Sequence, residues 1–373
     1  KECDLPVIVG GIHLSQFPLE TLTHKCIDWG VVTDGEVTAV ELLKTWQAGE
    51  DLSKVRGIVY RNDEGVPTMT ESRATWVDVD ETAWPARHLV NLDAYWSVMS
   101  RRKRFTAMMT GFGCPLSCTF CVLTEVPFRQ RSPKSIADEM EYCYEELGIE
   151  EFDFFDPNFT FGKKRTRAIC QEIIDRGLHK KVIWSPRARS DKVTKDIVEL
   201  MAEAGCSQIR YGFESGDPEI LHNAQKWQGG LDSMRDAVGW ARDAGMEVLG
   251  FFTLGNPGET HETIARSKAF VLSLDLDFIQ VAPIFMLPGS PMYNTHVERT
   301  GDDFWRQHTL DLKPLDALPF LDTELTTEEL KAAALDIYRS FYLRPRTYFR
   351  AATWRRVWNP TIRKRVLAAR RML

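Results

Sequence analysis

The chain has no apolar run of the roughly 18 residues that a membrane-spanning helix requires. Its most apolar stretch, residues 270–287, is broken by Asp275 and Asp277. No signal peptide is expected either, since the sequence opens with Lys-Glu-Cys-Asp and a short strand-like run. Because it starts at Lys1 inside what reads as a folded domain, a fragment of a longer protein is expected. Internal repeats and low-complexity segments are absent. The cysteines are too few for a disulfide scaffold: three of the 8 crowd into eight positions, while Cys3, Cys26, Cys143, Cys170 and Cys206 are scattered. Reduced thiols and a cytoplasmic setting follow, with Cys143 and Cys170 as buried thiols on helices. Acid is missing from residue 341 onward, where ten Lys or Arg residues stand. The other 37 basic residues face all 53 acidic ones. A basic tail on an acidic body points to a local anionic partner and not to a nucleic-acid-coating protein.

What is present is an ordinary globular composition, 43% hydrophobic and 27% charged, in a chain of 373 residues. That length suits two domains, or one barrel with appendages. From residue 105 to about residue 287, strand-like and helix-like segments alternate. Strands are expected at 105–111, 151–156, 182–185, 208–213, 246–254 and 278–285. Helices are expected at 132–147, 163–176, 195–204, 230–244 and 259–274, with Ser132 as a cap and Pro133 at the first helical position. Six β units joined by helices predict a parallel sheet with crossover helices, and hence an open, partial barrel with its chemistry at the C-terminal strand ends. Before it, strands at 5–9 and 29–33, a helix at 36–46 and a hairpin at 56–70 read as the last part of a doubly wound α/β domain.

Directly after the first barrel strand comes Gly113-Cys114-Pro115-Leu116-Ser117-Cys118-Thr119-Phe120-Cys121. Thiolates at this spacing can wrap one inorganic iron–sulfur core. A fully ligated cubane takes four cysteines, so three leave one iron open, as catalytic zinc sites keep an open position. Two other readings compete: three buried thiols, or Cys118 and Cys121 as half of a zinc knuckle. The knuckle lacks a second ligand pair at the usual spacing, since His179 and His222 are distant and isolated.

This loop, with an aromatic before the last cysteine and a six-unit β/α series around it, resembles the radical S-adenosylmethionine (SAM) superfamily over about residues 105–295. The resemblance implies a [4Fe–4S] cluster on Cys114, Cys118 and Cys121 that cleaves SAM to methionine and a 5′-deoxyadenosyl radical. Phe120 accompanies the cluster. Asp156, in Phe155-Asp156-Pro157-Asn158, stands where the superfamily has a Gly-Gly-Glu-like motif for the SAM amino group. Arg189 follows the third strand and is placed for the SAM carboxylate. Glu214 and Ser215, in Gly212-Phe213-Glu214-Ser215-Gly216, resemble a Gly-x-Glu-Ser motif for SAM. Gly255, in the Gly250–Thr260 segment, resembles the motif whose backbone lies along the adenine.

Upstream, Val7-Ile8-Val9-Gly10-Gly11-Ile12-His13 resembles the C-terminal half of the cobalamin-binding domain of one subgroup, with Gly10 and Gly11 approached by the cofactor's nucleotide tail. That subgroup holds C-methyltransferases and the anaerobic magnesium-protoporphyrin monomethyl ester cyclase, whose relatives also share Phe341-Tyr342-Leu343-Arg344-Pro345. The expected architecture is thus a cobalamin-binding-like α/β part (1–77), a linker (78–100), a TIM-like partial (β/α)6 barrel (101–295) and a helical C-terminal region with a basic tail (296–373). The expected activity is radical chemistry on an unactivated carbon of a lipid-like or tetrapyrrole substrate, as C-methylation or oxidative cyclisation. A flavodoxin or ferredoxin would supply electrons, and cobalamin would bind in the full-length protein. Tyr348, Phe349, Trp354 and Trp358 in the basic tail suggest peripheral docking at an anionic inner membrane. The alternatives are a methylthiotransferase, which needs a second cysteine trio upstream, and a non-catalytic zinc module.

Overall fold

A computed structural model of the chain describes residues 5–73, 76–95, 97–315 and 323–350. Cys3, Trp96 and the tail after residue 350, with Trp354 and Trp358, lie outside the described residues. The chain forms two compact units. One comprises Lys1–Ala83, Phe120–Val122 and Met286–Pro319, and the other Trp84–Thr119, Leu123–Phe285 and Phe320–Leu373.

The larger unit is built on six strands: β1 (Phe105–Met108), β2 (Glu151–Phe154), β3 (Ile183–Ala188), β4 (Gln208–Glu214), β5 (Glu247–Leu254) and β6 (Phe278–Pro283). They lie side by side in chain order and every pairing is parallel. Parallel neighbours require crossovers. The principal helices are α1 (Pro133–Leu147), α2 (Lys163–Asp175), α3 (Lys195–Glu203), α4 (Pro218–Asn223), α5 (Leu231–Asp243) and α6 (His261–Ser273). Since β1 and β6 do not pair, the curled sheet is a half-barrel, as the β/α series predicted.

Side-chain alternation assigns the two faces of the sheet. Ile209, Tyr211 and Phe213 of β4 join the buried core under the helices, together with Phe152, Phe154, Trp184, Val248 and Phe252. Phe154, Phe159 and Trp184 are fully buried with ring centroids 5.2–5.3 Å apart. Such a cluster contributes several kcal/mol, at about 1.5–3 kcal/mol per large apolar side chain. On β2, β3 and β4 the opposite positions are polar: Asp153 accepts from both Arg187 (3.0 Å) and Arg210 (2.6 Å), while Arg210 also donates to Gln208 and Ser185. On β5 and β6 they include apolar residues, Leu249 and Phe251 packing with Phe278.

A half-barrel exposes an edge, and the edge of β6 is covered by α7 (Thr327–Tyr342). The Val281 N–H donates to the Tyr338 hydroxyl at 2.8 Å. The Ile279 N–H donates to the Tyr342 hydroxyl at 3.2 Å. Just beyond, the first arginines of the basic segment turn onto the body: Arg344 donates to the Leu272 carbonyl at 2.7 Å, Arg346 pairs with Asp275 at 2.9 Å, and Arg350 pairs with Asp277 at 3.0 Å.

In the smaller unit, Ile8–Gly10 and Trp29–Val31 pair in parallel, and Ile58–Arg61 and Pro67–Met69 extend the sheet antiparallel. The helix Thr38–Gln47 follows the second strand. Residues 286–315 belong to the same unit. His24 bonds the Thr309 carbonyl at 2.7 Å, and Arg306 pairs with Glu20 at 3.0 Å.

Candidate active site at the strand ends

After β1 the chain forms a short ladder, Gly111–Phe112 against Arg129–Gln130, that carries the cysteine loop at its tip. Gly113 sets the turn into the loop. Its φ is +66°, and a Cβ there would lie 2.4 Å from the Val126 carbonyl oxygen and 2.5 Å from that of Pro127. None of the described cysteines is in a disulfide. Cys118 is buried and accepts from Arg189 Nη1 at 3.5 Å, whereas Cys114 and Cys121 are half-buried. Burial pushes the Cys114 thiol up, while the Lys226 and Arg189 cations oppose that shift. Phe120 is half-buried.

Beneath the loop, the end of β1 is anchored by buried charge. Asp156, only 2% exposed, accepts the Thr110 N–H at 2.6 Å on one oxygen and the Thr110 hydroxyl on the other. Burial pushes its carboxyl up against those bonds and a further one from the Gly111 backbone. Both oxygens are thus engaged with the strand that launches the cysteine loop. One turn deeper, Glu139 of α1 bridges Arg87 (2.6 Å) and Arg131. These guanidiniums cap the Ala107 carbonyl (3.0 Å) and the Met109 carbonyl (3.1 Å). Neither Arg87, in the segment read as a linker, nor Glu139 carries a local signal of this role.

The other sequence-predicted residues gather at the ends of β3, β4 and β5. Arg189 is clamped by Asp191 (2.9 Å and 3.3 Å) with Nη1 on Cys118. Glu214 ends β4 at a register shift, in the left-handed region at φ 66°. Strain of this kind is concentrated at functional sites. Its carboxylate pairs with Lys226 at 3.2 Å. Ser215 is fully buried, shares a bond with Ser267 at 3.0 Å and accepts the Asp217 N–H, so its hydroxyl shapes the turn. Gly255 donates its N–H to Glu259, which also accepts from Asn256 N–H at 3.1 Å. Burial pushes the Glu259 carboxyl up to about 7.

The chemistry of this donor set fits an iron–sulfur cluster. Three cysteines outside any disulfide stand in one eight-position loop, an arginine N–H donates to one sulfur, and two cations act on another. Among the described residues, no three His, Cys, Asp or Glu side chains converge as they would around a single metal ion. A cubane takes its thiolates on separate irons around a core, and needs no such convergence.

In the smaller unit, Gly10 and Gly11 line a cavity of about 400 Å³ at the ends of its two parallel strands, with Val31, Thr33, Gly35, Glu36 and Ala39. That volume lies within the range of small-molecule clefts, about 300–1,000 Å³. His13 bonds Thr309 Oγ1 at 3.3 Å, and burial together with His308 and His24 lowers its pKa.

Comparisons with known proteins agree with this geometry. The profile described as "Radical SAM superfamily" matches residues 108–271. An uncharacterized methyltransferase of Pyrococcus horikoshii is 30% identical over 347 residues, covering 91% of this chain and 73% of the relative. The anaerobic magnesium-protoporphyrin IX monomethyl ester cyclase of Cereibacter sphaeroides is 25% identical over 356 residues, 90% of this chain and 55% of the relative. Among solved structures, the radical S-adenosylmethionine methyltransferase TsrM from Kitasatospora setae, with cobalamin and a [4Fe-4S] cluster bound, aligns at a TM-score of 0.65. It is 22% identical, with 79% of this chain and 58% of that one covered, a likeness of fold. The chain thus spans just over half the length of the latter two.

Proposed function

This chain belongs to the radical SAM superfamily, and from that premise we propose that Cys114, Cys118 and Cys121 hold a [4Fe–4S] cluster whose open iron takes SAM. The observation that carries the proposal is the trio of cysteines, none in a disulfide, in the loop leaving the first strand of an all-parallel six-stranded half-barrel, with Arg189 donating to Cys118. The cluster with SAM would supply reductive SAM cleavage and hydrogen abstraction from an unactivated carbon. The protein's part is to position and exclude. Glu139 and Asp156 fix the height of β1's end, and hence of the cysteine loop. Arg189 offers a cation to the SAM carboxylate, and Glu214 an acceptor to SAM hydroxyl or amino groups. The Gly255 turn, braced by Glu259, presents backbone where the adenine would lie.

Methyl transfer or oxidative cyclisation is the proposed outcome, in line with the methyltransferase and cyclase relatives. The cavity at Gly10–Gly11 would take the nucleotide tail of cobalamin. A lipid-like or tetrapyrrole substrate and a flavodoxin or ferredoxin donor complete the reading. No described helix is long and apolar enough to cross a membrane. Peripheral docking would rest on the aromatic and basic residues after 350. Truncation at Arg350 that left liposome flotation unchanged would remove it.

The experiment is product analysis. After anaerobic reconstitution and reduction, the chain is expected to convert SAM to methionine and 5′-deoxyadenosine, and Cys118→Ala to make neither. Equal turnover by the variant would overturn the proposal.

A further inference from the structure

Five hydrogen bonds converge on one segment that no motif marks, Ala224-Gln225-Lys226-Trp227-Gln228. The Thr119 N–H of the cysteine loop donates to the Ala224 carbonyl at 3.2 Å. Lys226 Nζ reaches Glu214 Oε1 at 3.2 Å. The Gln228 side chain, fully buried, donates to the Gly212 carbonyl of β4 at 2.7 Å. Its oxygen accepts the Ser190 N–H (3.2 Å) and hydroxyl (3.0 Å) beyond β3. The segment therefore ties the cysteine loop to the ends of the two strands that carry Arg189 and Glu214.

Lys226 is its charged member. It is 8% exposed and Glu214 is 9% exposed, so the pair is screened from water. Glu214 is held in a left-handed backbone, and its Oε1 comes so close to Gly212 that a Cβ there would lie 2.6 Å away. A carboxylate screened from water in that position is held there by the cation beside it; deprived of that partner it swings away.

We propose that Lys226 is a positioning residue for SAM, fixing the Glu214 carboxylate in place through their ion pair while the strap around it registers the cysteine loop against β3 and β4. The inference rests on the radical SAM reading above and names a residue that reading does not use. Lys226 acts through Glu214 and needs no contact with the reacting atoms.

The test uses the full chain, reconstituted with iron and sulfide and reduced, with SAM titrated against the change it induces in the cluster's EPR spectrum. Lys226→Met is expected to weaken SAM binding about tenfold, with iron content and the SAM-free spectrum unchanged. Lys226→Arg, which keeps the cation, is expected to bind SAM within about threefold of the parent. Glu214→Gln should show the same loss as Lys226→Met, and the double variant no more than either alone, because the two act as one unit. A parent protein whose spectrum ignores SAM would sink the radical SAM reading itself. A responsive parent with an equally responsive Lys226→Met would sink only the role of Lys226. Loss of iron along with the SAM response, in Lys226→Met and Lys226→Arg alike, would make the lysine part of the scaffold and overturn the proposal as well.

Discussion

Replacing Glu259 by Gln probes how the turn after β5 is braced. The carboxylate is 1% exposed, and its Oε2 accepts the Gly255 and Asn256 N–H groups. Among the described residues, its Oε1 is a buried acceptor without a donor, as is Asn256 Oδ1. Burial outweighs the two backbone bonds and lifts the carboxyl from 4.5 to about 7. Between these values the folded chain holds a proton that the unfolded chain has released. Stability therefore falls as pH rises through this window, and above about pH 7 the full penalty of roughly 3 kcal/mol is present. Glu259→Gln keeps an oxygen for both N–H groups and adds a donor on the unsatisfied side, with no charge to bury. Urea unfolding of the metal-free, reduced chain at about pH 5 and about pH 8 measures the difference. The variant is expected to match the parent within about 1 kcal/mol at the lower pH and to exceed it by about 2–3 kcal/mol at the higher. A difference that is the same at both pH values would refute the reasoning.

Gly113→Ala is expected to abolish most iron incorporation, because its Cβ would meet the carbonyls of Val126 and Pro127 in a left-handed turn; iron and sulfide analysis checks it. The double change Tyr338→Phe and Tyr342→Phe leaves the Val281 and Ile279 N–H groups without acceptors. A loss of about 1–2 kcal/mol per site and faster hydrogen exchange at those two amides are expected. Gly11→Val, which fills the wall of the cavity at the ends of its two parallel strands, should weaken cobalamin binding at least tenfold in an absorbance titration, with SAM cleavage retained.

The barrel was legible because each of its strands is a short apolar run between helices with their own signals. Ser132 caps α1 by accepting the Ser135 N–H, with Pro133 at its first position, as the sequence suggested. Where the reading fell short, tertiary contacts were the cause. Strand β3 reads as ending at Ser185 because Pro186 and Arg187 follow, yet it continues to Ala188: Arg187 finds Asp153 on β2, and Pro186 stays in register with Phe154. The helix Pro218–Asn223 is too short to show a period, although Asp217 caps it. The cysteine trio needs only local spacing, and so was readable. Lys226, Gln228 and Glu139 act on residues 12, 38 and 52 positions away, and no local pattern could mark them. Asp156 was singled out by its place at the end of β2, but its two bonds to Thr110 depend on where β1 lies beside it.

The central claim, three cysteines holding a cluster with one open iron, is tested most directly by EPR of the anaerobically reconstituted and reduced chain with and without SAM. A reduced [4Fe–4S] signal that shifts when SAM is added and is missing in Cys118→Ala is expected. A signal indifferent to SAM, or tightly held zinc with no iron–sulfur signal at all, would contradict it.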